Sequence, residues 1–203
     1  MKRTIFTVVL GLWFASSALA APVFVDGVWL EKQLANPKLV VVDMSDDDTQ
    51  YLRFHLPGAV RLPYDVLVKE RKNDKVKVRL DDAELTRVLG RLGIARDSQV
   101  VIYDDMGGLN AARLFWELER LGHREVSVLD GGLVRWILDG RKVVNNAPRR
   151  APTTYAPAGP GRASAAVPDA ALPPSSLKSN EATLEDVRSE EEYVGEAKKP
   201  RTG

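Results

Sequence analysis

The 203-residue chain contains no cysteine. Disulfide bonds, cysteine-ligated metals and a thiolate nucleophile are therefore all excluded for this polypeptide. Histidine is nearly as scarce, with only His55 and His123. These two residues fall in separate predicted elements and lack the close spacing of metal ligands, so we expect no metal and no cofactor. We interpret His55 as a buried structural residue and His123 as a capping or surface residue.

A charge excess of either sign is also missing. Lysine and arginine number 29 against 28 aspartates and glutamates, which leaves no basic footprint for nucleic acid. Hydrophobic residues make up 44% of the chain and charged residues 28%, which is typical of a folded globular protein. After residue 20, no segment is long and apolar enough to span a bilayer. We therefore expect neither nucleic acid nor stable membrane insertion for the mature chain.

The first twenty residues differ in kind from the rest. Lys2 and Arg3 precede an almost wholly apolar run at 5–14, and small residues with an Ala-x-Ala site lead up to Ala20. This order is that of a secretory signal peptide, whereas a membrane anchor needs about 20 continuous apolar residues. We predict cleavage after Ala20 and a periplasmic or secreted location.

Short apolar runs alternate with helical patterns between residues 23 and 140. Strands are predicted at 23–25, 39–43, 59–62, 99–103 and 126–129, and such continuous apolar runs are typical of parallel strands covered on both faces. Helices with apolar residues at helical spacing fall between them and end near Leu34, Gly93, Gly122 and Gly140. This order predicts an α/β fold with a doubly wound, mostly parallel sheet flanked by helices. Three tryptophans lie on apolar helix faces and are predicted to be core residues: Trp29, Trp116 and Trp136.

The composition changes after about residue 145. Residues 145–176 are rich in Pro, Ala, Gly and Ser, which predicts a linker. Residues 177–203 then repeat features of 29–45: a leucine-containing lead-in, a strand ending in aspartate (Asp186, like Asp43), and a tyrosine shortly after. This repeat predicts the truncated start of a second domain. The predicted organisation is a signal peptide at 1–20, one domain at 21–144, the linker, and the partial copy at 177–203.

Three motifs resemble those of the rhodanese family. Residues 51–60 read Tyr-Leu-Arg-Phe-His-Leu-Pro-Gly-Ala-Val and resemble its first signature, except that Phe54 stands where glycine is usual. The run Val-Leu-Asp-Gly-Gly at 128–132, followed by Trp136, is similar to its C-terminal signature. The run Val-Ile-Tyr-Asp at 101–104 lies where the active loop belongs.

The chain is similar throughout to the tandem sulfurtransferases of the rhodanese family. The resemblance implies a rhodanese-like fold, a non-catalytic N-terminal domain and a C-terminal catalytic domain as its partner. It implies that the complete protein transfers sulfane sulfur from thiosulfate or a similar small anion to a thiophilic acceptor through a cysteine persulfide. Asp104 here occupies the position of that cysteine. The loop equivalent to the active-site loop comprises Asp104, Asp105, Met106, Gly107, Gly108, Leu109 and Asn110.

Two arginines are candidates for anion binding or support of this loop. Arg113 follows the loop and has two alternatives, a bound anion or an ion pair with Asp104 or Asp43. The ion pair is favoured because the two acids end neighbouring strands. Arg188 matches an Asp-x-Arg element of the second domain, and the resemblance implies that an arginine there helps to bind anionic substrate.

The absence of cysteine decides the functional prediction. A carboxylate cannot form a persulfide, and it would repel a dianionic sulfur donor. We therefore expect the loop at 104–110 to be structural and the chain to be inactive alone. One alternative is a non-catalytic rhodanese-like module that binds a protein partner in the periplasm. A phosphoacceptor receiver domain is disfavoured, because the required lysine after the last strand is missing.

Overall fold

The structure is a computed structural model in which residues 21–73, 76–148, 150–159 and 190–194 are described. The predicted signal peptide lies outside the described residues. So does most of the predicted second repeat, including Asp186 and Arg188.

The strands of the described residues are β1 (Phe24–Val25), β2 (Leu39–Asp43), β3 (Ala59–Arg61), β4 (Val68–Glu70), β5 (Lys77–Arg79), β6 (Gln99–Tyr103) and β7 (Val126–Leu129). Five of them form a parallel sheet in the order β1-β7-β6-β2-β3. The middle strand β6 pairs with β2, with Val41 opposite Val101. The other two, β4 and β5, form a separate antiparallel hairpin. The predicted α/β class and its five parallel strands are confirmed.

Helices cover both faces of the sheet. Aspartates cap the first three: Asp26, Asp47 and Asp81 each accept a backbone N–H of the first turn, which satisfies donors that the helix leaves free. The capping box predicted between Asp81 and Glu84 is confirmed. The helix bounds are α1 (Gly27–Gln33), α2 (Asp48–Arg53), α3 (Asp82–Arg91), α4 (Leu109–Arg120), α5 (Gly132–Leu138) and α6 (Glu190–Tyr193), with a 3-10 helix at Tyr64–Leu67. None of the helices in these described ranges is long and apolar enough to cross a membrane.

The core has one apolar layer on each face of the sheet. Alternate residues of the central strands supply them, so that Val40 and Ile102 pack towards α3 and α4, while Val41 and Val101 pack towards α1 and α5. This alternation follows from the two-residue period of a strand, and it explains why both strands are apolar throughout.

The tryptophan predictions are correct in part. Trp136 is buried in the layer beside α1 and α5, and Trp29 packs partly against that layer. The prediction for Trp116 is wrong, because 37% of this residue is exposed. Its ring lies beside two guanidinium groups of its own helix, those of Arg113 at 5.8 Å and Arg120 at 5.9 Å. Cation–π contact can hold a tryptophan at the surface.

Residues 150–159, which we call the strap, contain no helix or strand but pack closely against the domain. Thr153 donates its backbone N–H to Gly90 O at 2.8 Å and its hydroxyl to Ile94 O at 2.8 Å. Ala158 N donates to Leu121 O at 3.1 Å, and Tyr155 is buried in the layer beside α3 and α4. The composition indicated an irregular segment but gave no sign of this packing. The domain boundary at residue 144 and the role of 145–176 as a linker stay predictions.

Candidate functional site

The predicted loop at 104–110 follows β6 at the carboxyl edge of the sheet. Its irregular part is shorter than predicted, because Leu109 and Asn110 already form the first turn of α4. The carboxyl ends of parallel strands meet at one edge, which is the usual place for ligand sites in α/β folds. Asp104 is 1% exposed and begins the loop, whereas Met106 is 49% and Leu109 68% exposed. The loop therefore buries the first of its two acidic residues and presents apolar side chains outward.

Three backbone N–H groups surround the carboxylate of Asp104. Met106 N and Gly108 N donate to Oδ1 at 3.0 and 2.8 Å, and Ala111 N donates to Oδ2 at 2.9 Å. We call these three donors the amide cradle. Gly108 permits this shape because its φ of 97° lies in the left-handed region that favours glycine. Convergent N–H groups at the start of a helix form an anion site, and here a side chain of the loop itself fills it.

Neighbouring segments hold the loop in place. The backbone oxygen of Asp104 accepts the N–H of Leu133 at 2.9 Å, and a Cβ at Gly132 would collide with that same oxygen. Asn110 Nδ2 donates to Met44 O at 3.1 Å. The loop is thus tied to α5 on one side and to the end of β2 on the other.

A buried hydrogen-bond network lies beneath the loop. Tyr103 donates its hydroxyl to Asp43 Oδ2 and accepts the N–H of Leu56 at 3.2 Å. Burial, together with the nearby charge of Asp43, raises the pKa of Tyr103 far above its usual value. This tyrosine therefore stays protonated as a donor and links β2, β6 and the turn after α2. A tyrosine ending a predicted strand beside an aspartate was the only sequence signal for this network.

His55 occupies the structural position that its motif predicted. It is buried, with Nδ1 2.7 Å from Tyr51 O and Nε2 3.3 Å from Asn146 O. Its ring stacks on that of Tyr51 with centroids 4.0 Å apart. A phenylalanine is tolerated at position 54 because its φ is −163°, an extended conformation open to any residue.

The predicted ion pair of Arg113 with Asp104 or Asp43 is wrong. Arg113 instead pairs with Glu117, one helical turn further on, at 3.0 Å. Both predicted acids are engaged elsewhere: Asp104 accepts from the amide cradle, and Asp43 accepts from Tyr103 and lies 3.6 Å from Arg61. Sequence reasoning missed Arg61, which the pairing of β3 with β2 brings beside Asp43.

The prediction that His123 is a capping or surface residue is also wrong. His123 is buried, with Nε2 2.9 Å from Ser98 O and Nδ1 3.2 Å from the hydroxyl of Tyr155. Burial is the main cause that lowers its pKa. The strap covers this residue, and only the lone aromatic side chain of Tyr155 in a Pro- and Ala-rich segment hinted at that contact.

The site offers an anion-binding backbone but no group that could act as a nucleophile on sulfur. Within the described residues, no group of three or more His, Asp or Glu side chains could hold a metal ion. The amide cradle, which would suit a small anion or a thiolate, is occupied by a carboxylate from within the loop.

These features define a class of protein: a doubly wound α/β domain with an anion-holding loop between a central strand and the next helix. The chain belongs to the rhodanese family, since the Rhodanese-like domain matches residues 27–139. This match confirms the resemblance that the three motifs indicated.

Relatives and solved structures agree with the assignment. The protein named "Putative thiosulfate sulfurtransferase 1" of Mycobacterium bovis is 32% identical over 179 residues, which cover 88% of this chain and 62% of that one. A sulfur carrier protein of Thermus thermophilus is 30% identical over 86% of this chain and 60% of its own length. The chain therefore spans about three fifths of the length of these relatives.

Solved structures show the same fold. The 3-mercaptopyruvate sulfotransferase SseA of Escherichia coli superposes with a TM-score of 0.58 at 23% identity, over 68% of this chain and 57% of that one. The 3-mercaptopyruvate sulfurtransferase of Leishmania major superposes with a TM-score of 0.57 at 25% identity, over 66% of this chain and 39% of that one.

Proposed function

We propose that this chain is the non-catalytic N-terminal portion of an exported rhodanese-family sulfurtransferase and does not transfer sulfur itself. The observation that carries the proposal is the buried carboxylate of Asp104 in the amide cradle. In the complete protein, sulfane sulfur would pass from thiosulfate or a similar small anion to a thiophilic acceptor through a cysteine persulfide of a C-terminal domain. The names of the relatives support this chemistry.

The chemistry of the loop supports its inactivity. Persulfide formation requires a deprotonated thiol that attacks a sulfur–sulfur bond, and the chain has no cysteine. The oxygens of Asp104 already accept three N–H donors. Like charges at contact distance repel by about 1 to several kcal/mol. The same carboxylate therefore disfavours entry of a dianionic donor.

The proposal includes export and a partner domain. The charged, apolar and Ala-x-Ala segments of residues 1–20 support cleavage after Ala20 and a periplasmic or secreted location. The partner would be the chain's own C-terminal catalytic domain, with Arg188 contributing to its anion site. Two observations support this partner: the sequence pattern predicts a second repeat from about residue 177, and the relatives are longer than this chain.

A second candidate function is a rhodanese-like module that binds a separate protein in the periplasm. The exposed apolar side chains of Met106 and Leu109 at the rim of the loop favour a surface that a partner covers. A stable, monodisperse product of the native gene ending at Gly203 would favour this candidate. A gene that continues into a Cys-containing loop would favour the first.

Sulfur transfer tests the first candidate directly. The purified chain, incubated with thiosulfate, should keep its intact mass and produce no thiocyanate when cyanide is added, because it offers no thiolate. A cysteine-dependent sulfurtransferase assayed in parallel should gain a sulfur and produce thiocyanate. A sulfur adduct on this chain, or thiocyanate above the protein-free rate, would refute the proposal.

A further inference from the structure

The strap lies directly over His123. Its Tyr155 hydroxyl is 3.2 Å from Nδ1 of the histidine, and the two rings are stacked with centroids 5.8 Å apart. Ala158 donates to Leu121 O, and a Cβ at Gly122 would collide with the backbone oxygen of Gly159. The strap therefore closes over the turn at 121–123 with no space between the two backbones.

The hydrogen bonds fit a neutral imidazole. Nε2 lies 2.9 Å from Ser98 O, a pure acceptor, so this nitrogen carries the proton and donates. Nδ1 is then free to accept from the Tyr155 hydroxyl. A second proton on Nδ1 would force the Tyr155 hydroxyl to accept instead of donate, and it would place a charge in a site closed to water, which is costly.

The charged groups around His123 do not offset this cost. Asp97 favours the protonated imidazole, as does the backbone of Ser98 and Glu125, but burial outweighs them and lowers the pKa of His123. The carboxylate of Asp97 is itself bonded to Lys38 at 2.8 Å. On the strap, burial raises the pKa of Tyr155 to about 12 despite the opposing charge of Arg96, so this hydroxyl does not titrate near neutral pH.

We propose that the strap is an acid-sensitive latch: it opens as the medium becomes acidic, because opening exposes His123 to water and allows its imidazole to take up a proton. Opening would break the bonds of Thr153 and Ala158 to Gly90 and Leu121. It would release the ten residues 150–159, about 33–36 Å of chain when fully extended. The reach of the chain beyond the domain would then depend on pH.

The direction follows from proton linkage. The closed state has the lowered pKa, so it binds fewer protons than the open state, in which the pKa returns to its ordinary value of 6.5. The latch is therefore at full stability above about pH 6.5 and loses stability as the pH falls towards the lowered pKa. Within that window the opening equilibrium increases by at most about tenfold per pH unit.

Hydrogen exchange of the strap measures this opening. We expect the protection of the Thr153 and Ala158 amides, corrected for the intrinsic exchange rate, to fall up to about tenfold per pH unit below about pH 6.5. The amides of Val101 and Ile102 in β6 should stay more strongly protected than those of the strap at every pH, because they exchange only when the sheet itself opens. Unchanged strap protection across this range would overturn the proposal.

Two further measurements identify the titrating group. His123→Gln keeps a donor for Ser98 O but cannot take up a proton, so strap protection in this variant should no longer depend on pH. An equal loss of protection in H123Q would refute the role of His123. If H123Q does not fold, an NMR titration of the ring resonances of His123 in the unmodified chain tests the same point. The latch requires that the midpoint of this titration lie below pH 6.5. A midpoint at or above pH 6.5 contradicts the latch.

Discussion

Asp104→Asn is expected to destabilise the domain by about 2–3 kcal/mol, one of the largest effects that a single polar substitution in this loop can have. Asp104 is buried and accepts three backbone N–H groups through two oxygens. Asparagine replaces one oxygen by an NH2 group that cannot accept, and at least one buried donor is left without its partner. Hydrogen bonds to charged groups contribute about 1.5–3 kcal/mol each, and an orphaned buried donor costs about 1–3 kcal/mol.

Asp105→Asn is the matched control. Asp105 carries the same functional group one residue further along and accepts the N–H of Asp46 at 3.0 Å in an exposed setting. The substitution D105N should change the free energy of unfolding by no more than about 0.5–1 kcal/mol. Chemical denaturation of both variants measures the difference. Equal destabilisation by D104N and D105N would show that the hydrogen bonds of the amide cradle to Asp104 add no stability beyond that of an exposed hydrogen bond.

Asp104→Cys is expected to give a thiol with a pKa below about 7.5, against about 8.5 for an ordinary cysteine. The amide cradle lies at the start of α4 and directs its N–H groups at the position that the new sulfur would occupy. Backbone donors and the helix terminus both favour a thiolate over a neutral thiol. The substitution therefore tests whether the loop has a shape that holds an anion.

Asp105→Cys provides the control for that thiol. Residue 105 belongs to the same loop, but its side chain lies outside the amide cradle, so the pKa of the new thiol should stay near about 8.5. Thiolate absorbance as a function of pH measures both values in single-cysteine proteins, since the natural chain has no cysteine. A D104C thiol that titrates at or above the D105C value would contradict the anion-holding role of the loop.

The sheet could be predicted from the sequence because buried parallel strands appear there as continuous apolar runs. Continuous apolar runs such as 39–42 and 100–102 belong to strands covered on both faces. The position of Asp104 was also predictable, since it ends one of those runs and begins a glycine-containing loop. The hydrogen bonds of its carboxylate to the amide cradle could not be predicted, because the three donors are backbone N–H groups and do not depend on which side chains the sequence carries.

The two failures have different physical causes. Arg113 was assigned to acids at strand ends, whereas its partner Glu117 lies one turn further along the same helix, at a spacing that the sequence shows. The partner of His123 is set by tertiary packing, since Tyr155 reaches it from 32 residues away. The β4–β5 hairpin was missed because its short strands are mostly exposed and lack a continuous apolar run.

The amide resonances of Met106, Gly108 and Ala111 provide the most direct measurement of how the loop is occupied. If the Asp104 carboxylate accepts their protons, these three signals lie downfield in the natural chain and move upfield together in folded D104N, while the signals of β2 and β3 stay in place. Three signals that do not respond, in a D104N protein that remains folded, would mean that the carboxylate is not seated there.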